Sequence, residues 1–119
     1  MAVTTTTVVQ GIVLIHDATA NATPESNVRS GATTVRRVVI GNPNPAAVYF
    51  KAYNNTAPTV GTTDPDLILP AAASATASYT IPNGGHTFGT ALSFAVVTSA
   101  GTGGTSNPAT AVLVDIECT

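Results

Sequence analysis

The strongest constraint on the fold is the regular interruption of this sequence by proline and glycine. The chain has 119 residues, of which 10 are Gly and 8 are Pro, and the segments between them are rich in Val, Thr and Ala. Val and Thr favour strands, and no window shows the 3.6-residue apolar period of an amphipathic helix. The sequence therefore predicts an all-β chain of short strands joined by turns.

Turn signals delimit the predicted strands. We expect a loop over residues 17–34 that contains a short strand near Val28, and Gly11 should mark a bulge or bend within the first strand. The sequence GNPNP at 41–45 must be a turn, because its two prolines lack the N–H that a helix or central strand needs. The predicted strands cover residues 6–16, 35–40, 47–54, 66–69, 76–81, 92–99 and 111–118.

Alternation of side chains along these segments predicts how the strands assemble. Val48 and Phe50 share one face while Tyr49 and Lys51 share the other, a pattern typical of an antiparallel sheet with one buried face. Seven or eight such strands can close a core by stacking two sheets. We predict one antiparallel β-sandwich domain over residues 1–119, jelly-roll or immunoglobulin-like, with residues 1–9 as an N-terminal arm.

Composition argues against several classes of function. Only 8 % of residues are charged and four are Lys or Arg, too few for a nucleic-acid interface or an electrostatic membrane anchor. No apolar run approaches the length of a membrane span, and the start of the chain has no signal-peptide pattern. Because the chain has only two His and one Cys, we predict that it is not an enzyme and that it binds no metal, cofactor or small-molecule substrate.

The few reactive side chains have ordinary structural interpretations. His16 and His86 are expected at strand ends or on the surface, because nothing in the sequence brings a nucleophile to them. Asp64 and Asp66 flank a proline, which indicates turn chemistry, since a calcium site needs six or more oxygen ligands. Cys118 lies on an apolar strand face and should be a small buried hydrophobic residue.

Function is therefore expected at surfaces that contact other proteins. The arm could add to the sheet edge of a neighbouring subunit. Arg36 and Arg37 should point to opposite faces of their strand, as edge charges that block aggregation or as partners in an inter-subunit salt bridge. The tyrosines at 49 and 53 could bind a partner or pack under a loop. The predicted interface residues are Val3, Thr5, Thr7, Arg36, Arg37, Tyr49, Lys51, Tyr53 and Glu117.

A resemblance to a known family rests on a series of turn and strand residues. The segments are YFKAYN (49–54), APTVGT (57–62), DP (64–65), IPNG (81–84), TFGTAL (87–92) and SFA (93–95). Together they resemble a small β-sandwich domain of tailed-bacteriophage virions. The resemblance implies a virion structural protein, a capsid decoration (cement) protein that is made in the host cytoplasm and stabilises contacts between capsid subunits.

The resemblance also implies partners. The first is the major capsid protein, and the second is another copy of this chain in a homo-oligomer, for example a trimer. Related virion domains occupy several positions on the particle, so a second interpretation stays open. In that alternative the chain is a carbohydrate- or host-binding module of a tail or head fibre, which would use the Tyr49 and Tyr53 face or the Gly-rich loops.

Overall fold

The computed structural model describes residues 3–9 and 11–119, with side chains for residues 3–6 and 11–119. The described residues form ten β-strands and no helix. The strands are β1 (Val3–Val9), β2 (Ile12–Ala20), β3 (Glu25–Ser30), β4 (Thr33–Asn42), β5 (Val48–Tyr53), β6 (Leu67–Ala71), β7 (Ala75–Thr80), β8 (His86–Phe88), β9 (Ala91–Val97) and β10 (Val112–Cys118). The predicted all-β class is confirmed.

The strands form two sheets that pack face to face. The six-stranded sheet has the order β1-β2-β10-β4-β7, with β8 also paired to β4, and the four-stranded sheet has the order β3-β9-β5-β6. Every neighbouring pair is antiparallel. The predicted antiparallel β-sandwich is therefore confirmed.

The strand order selects the jelly-roll alternative. Strands β2, β3, β4 and β5 pair respectively with β10, β9, β7 and β6. The four pairs form one long antiparallel ribbon that folds back at the β5–β6 connection. The ribbon is wrapped so that successive pairs alternate between the two sheets. Such wrapping defines a jelly roll.

The structure has ten strands where seven or eight were expected, and each difference has a local cause. Val9 pairs with Ile12, so the chain reverses at Gly11 (φ +85°) and the first predicted strand is a hairpin rather than one bent strand. The segment predicted as a loop extends β2 to Ala20 and forms all of β3. Strand β8 has three residues, too few to show alternation in a sequence.

Strands β7 and β8 behave as one interrupted strand along β4. Thr80 pairs with Arg37 and His86 pairs with Val35, so the ladder resumes after a short excursion of the chain. The excursion turns through three successive positive φ angles, at Asn83, Gly84 and Gly85. A Cβ atom on Gly85 would lie 2.4 Å from the Val35 carbonyl oxygen, so this position requires glycine both for conformation and for space.

Aliphatic and phenylalanine side chains from both sheets form the core. The rings of Phe50 and Phe94 lie 5.6 Å apart at the centre of the four-stranded sheet's inner face. They pack with fully buried side chains of the six-stranded sheet and of β9, which include Ile15, Val38, Ile40, Leu92, Val96, Val114 and Ile116. Cys118 is fully buried in this cluster, as the sequence predicts.

Two buried asparagines organise the proline-rich turn after β4. Asn42 donates from Nδ2 to the carbonyls of Ala46 and Ala72, both at 2.9 Å, while its Oδ1 accepts from the Asn44 amide. Asn44 in turn exchanges two hydrogen bonds with the Thr110 backbone. Side-chain amides thus supply the bonds that a proline-containing segment cannot make through its own backbone, and they join three connections at one end of the sandwich.

The Gly85 geometry gives a direct test of the β7–β8 interruption. Gly85→Ala should lower the free energy of unfolding by about 2 kcal/mol or more, because the added methyl meets a backbone oxygen at a positive φ. Gly84→Ala is the matched control: φ is +82° but nothing lies within 4 Å of its Cβ, so about 1 kcal/mol is expected. Denaturant unfolding measures both, and equal losses would contradict the steric argument.

Candidate binding surfaces

Loops cover the outer face of the four-stranded sheet. All seven residues of β9 are buried, so this strand is covered on both faces. The covering segments are the β5–β6 loop (54–66) and the β9–β10 loop (98–111), in which Pro58 and Pro108 are buried. The two loops touch, because a Cβ on Gly61 would lie 2.5 Å from Thr105 Cγ2. The part of this face formed by β9 and the adjoining residues of β5 is therefore interior, whereas Ile68 and Pro70 on β6 stay exposed.

Lys51 fastens the β9–β10 loop to the sheet. Its side chain is fully buried, and Nζ donates to the carbonyl oxygens of Gly101, at 2.5 Å, and Gly104, at 3.3 Å. The described residues place no carboxylate within ion-pair distance of this amine. Burial lowers the pKa of Lys51 below its ordinary value of 10.5, because a charged amine loses hydration there.

Tyr53 lies beside Lys51 under the same cover. Its side chain is fully buried, and burial raises the pKa of its hydroxyl above 10.0. Ser93, its cross-strand neighbour, is also buried and donates to the Asn55 carbonyl. Tyr49 is half-buried. The interface role expected for Lys51 and Tyr53 is therefore corrected: of the two alternatives for this face, packing under a loop is the one observed.

The outer face of the six-stranded sheet is the broad sheet face that remains open. Except for Arg36, the charged side chains of this face are paired within the chain across neighbouring strands. His16 Nδ1 on β2 lies 2.5 Å from Asp115 Oδ1 on β10, and Arg37 Nη1 on β4 lies 2.9 Å from Glu117 Oε2 on β10. Around these pairs the face has Thr, Ser, Val and Leu side chains, so it is polar but nearly neutral.

Arg36 and Arg37 both point outward, against the expectation that they take opposite faces. The β4–β10 register shifts between Glu117 and Cys118, so a β-bulge adds a residue to β4 and both arginines are exposed. Arg36 Nε donates to Thr119 Oγ1 at 3.3 Å. The edge-charge explanation is wrong, because β4 lies between β10 and β7. The ion pair that Arg37 forms is within the chain, with the predicted interface residue Glu117.

A shallow groove crosses the open face near the end of β4. It has a volume of about 500 Å³ and is lined mainly by small side chains of β4, β7, β10 and the turns beside them, among them Gly41, Pro43, Thr76 and Leu113. Gly41 makes room for Leu113, whose Cβ would be 3.2 Å from an added Cβ. The sequence did not mark this groove, because small neutral residues carry no chemical signature.

The predicted arm residues lie along one edge of the six-stranded sheet. Strand β1 pairs with β2 of its own chain, and Val3 is half-buried against the core. Thr5 is exposed, whereas the Thr7 side chain is outside the described part of the structure. In the single chain, therefore, residues 3–9 extend their own sheet rather than project from the domain.

Among the described residues, each histidine contacts a single carboxylate rather than a larger cluster. His16 lies within β2 rather than at a strand end, since that strand runs on to Ala20, but its side chain is 41 % exposed, which confirms the surface alternative. His86 contacts Asp66 at 3.2 Å and packs edge-on against Phe88. In the described residues no three His, Cys, Asp or Glu side chains are grouped so that they could hold a metal ion. The same part of the chain has no long apolar helix of the kind that crosses a membrane.

Comparison with known proteins identifies no family for this chain, since no family model, no curated protein and no solved structure matches it. The candidate surfaces therefore rest on the described residues themselves. They are the nearly neutral outer face of the six-stranded sheet and the β1 edge that continues it.

The bond between Lys51 and the loop can be tested by hydrogen exchange. Lys51→Met should speed exchange of the loop amides of Thr98 and Gly104 by about tenfold or more, because hydrogen bonds from a charged donor contribute about 1.5–3 kcal/mol. Thr102→Val is the control, since it removes only an exposed 3.3 Å bond to Asp64. Unchanged exchange in the Lys51 variant would show that the amine does not fasten the loop.

The lowered pKa of Lys51 predicts how the free energy of unfolding depends on pH. Because the folded-state pKa of Lys51 is below 10.5, the unfolded chain binds this proton more tightly, and the free energy of unfolding should rise with pH in the window below 10.5. Tyr53 and Cys118 have raised pKa values, so they make the free energy of unfolding fall as pH rises. Both groups are also present in a Lys51→Met variant, so their contribution cancels when the two proteins are compared. Unfolding measured at rising pH up to about 10.5 should show that wild type gains stability relative to the variant as pH approaches the unfolded pKa of the lysine. Parallel curves would contradict this.

Proposed function

We propose that this protein is a virion structural protein, a decoration protein that binds the outer surface of a bacteriophage head and stabilises contacts between capsid subunits. The observation that carries the proposal is the broad, nearly neutral sheet face left open by a sandwich whose other outer face is covered by its own loops over β9 and much of β5. The resemblance of residues 49–99 to a virion domain supports the same assignment.

The chemistry of the open face suits a protein partner. Desolvating an unpaired charge on binding is costly, and charged residues are depleted at the centre of protein interfaces. On this face His16 is matched with Asp115, and Arg37 with Glu117, within the chain. A partner that covers the Thr, Ser and Val rows therefore has to compensate only Arg36, which donates to the Thr119 hydroxyl and forms no ion pair among the described residues.

The mechanism of stabilisation is contact area shared between neighbouring subunits. A domain with principal extents of 38 × 27 × 27 Å can reach across a boundary between two capsid subunits. Each contact can be weak, since many identical contacts on a symmetric shell act together. The major capsid protein is the partner in this proposal, and no nucleic acid, membrane or small molecule takes part.

Fold analogy is compatible with the proposal but does not select it. Jelly rolls occur in viral capsid proteins and also in lectins and cupins, so the fold alone implies no function. The carbohydrate-binding alternative used Tyr49 and Tyr53 as an aromatic platform. Full burial of Tyr53 leaves only the half-buried Tyr49 for such a platform, and the Gly-rich loop is bonded to Lys51, so these features support the alternative less than the open sheet face supports decoration.

Particle stability is the first test of this function. Heads that lack the protein should lose integrity at lower temperature and under milder osmotic shock than decorated heads, because the shared contacts stabilise the assembled shell. Adding back purified protein should restore both properties. Undecorated heads as stable as decorated ones would contradict the cementing role.

The face that binds can be identified with two matched variants. Ser78→Arg adds a long charged side chain on the open face, where Ser78 is exposed opposite Val39. Ala100→Arg adds the same side chain on the loop that covers the other sheet, where Ala100 is exposed. We expect Ser78→Arg to weaken binding to undecorated heads about tenfold or more, which is about 1.4 kcal/mol, and Ala100→Arg to have little effect. The reverse result would exclude the open face.

A further inference from the structure

Strand β1 leaves an open edge that lacks the usual protection. It is the outermost strand of the six-stranded sheet, with β2 on one side and none of the described strands on the other. Its seven residues, VTTTTVV, contain no charge, proline or glycine. A long uncharged edge strand of high β-propensity presents unpaired N–H and C=O groups that favour pairing with another strand.

The three other sheet edges are protected by recognisable features. The β7–β8 edge is interrupted by the turn at residues 82–85, with three positive φ angles in succession. Strand β3 contains Glu25 and Arg29, with a register shift between them. Strand β6 has five residues, and one of them is Pro70, which cannot donate a ladder hydrogen bond. Among the described strands, then, β1 differs from every other edge.

We infer that β1 pairs antiparallel with β1 of a second copy of this chain, about a two-fold axis. Three features favour a second copy as the occupant. The sequence VTTTTVV reads nearly the same in both directions, and with Thr5 on the two-fold axis Thr4 of one copy lies opposite Thr6 of the other. Like charges cannot meet, because the strand has none. A two-fold contact uses the same edge twice and closes, so it does not extend into a fibre.

The pairing has a geometric consequence. An antiparallel pair about a two-fold axis perpendicular to the sheet keeps the outer faces of both copies on one side. The two six-stranded sheets would then form one continuous sheet. Thr5, which is exposed opposite Ile15 on the inner side of β1, would be covered by β1 of the second copy. The inference goes beyond the proposed capsid function and does not depend on it, since it concerns the isolated protein in solution.

The test uses charge on the edge strand. Thr4 and Thr6 are exposed and lie opposite His16 and Leu14, so both side chains are on the outer face, where longer ones can be accommodated. Sedimentation should give wild type twice the 11.9 kDa mass of one chain. The double variant Thr4→Lys with Thr6→Lys should weaken dimerisation at least tenfold, and so should Thr4→Glu with Thr6→Glu, because like charges would face each other. An equimolar mixture of the two variants should dimerise again.

Controls make the outcome decisive. Ile68→Lys places one charge on the β6 edge, at the most exposed large apolar side chain of the described residues (39 %), and should leave the dimer intact. Unfolding curves confirm that each variant folds. The inference would be overturned if the wild-type chain stayed monomeric at about 1 mM. At that concentration only dimers with a binding free energy weaker than about 4 kcal/mol escape detection. A trimer, a dimer lost in Ile68→Lys, or a Lys–Glu mixture that stays monomeric would also overturn the inference.

Discussion

The rest of the structure depends on the burial of β9 on both faces. Its inner side chains pack against the six-stranded sheet, and its outer side chains lie beneath the chain's own loops. A domain with 5 % aromatic residues has few large side chains with which to fill a core. Covering a sheet with loops adds a third layer of contacts and buries more apolar area than two thin sheets alone can bury.

This arrangement also determines what the molecule can present to others. The loops close one sheet face, and Lys51 holds one of them by hydrogen bonds to Gly101 and Gly104. The opposite face stays open, and its charged side chains other than Arg36 are paired along β2, β10 and β4. The face and the unprotected β1 edge belong to the same sheet. Contacts with a capsid and with a second copy can therefore occur together, because one uses the face and the other the edge.

The sequence predicted the class of fold because strand signals are local. Alternation identified β5, β9 and β10 to within two residues, and the proline turn after β4 was recognised from its missing donors. The Arg36–Arg37 bulge was missed because it depends on register with β10, which a single segment does not carry. Burial of Lys51 was missed, and burial of Tyr53 was only one of two alternatives, for the same reason: the cover comes from loops distant in the chain, and Gly101, which binds Lys51, is 50 residues away. Alternation predicts which side chains share a face of a strand, but it does not predict which other segment covers that face.

The measurement that tests this account most directly is the copy number of the protein in purified particles, quantified by mass spectrometry against the major capsid protein. A protein that cements a shell through its open sheet face must occupy repeated sites, so we expect on the order of hundreds of copies per particle. About a dozen copies or fewer would place it at a vertex, neck or tail and contradict the cementing role. Absence from the particle would contradict the virion assignment altogether.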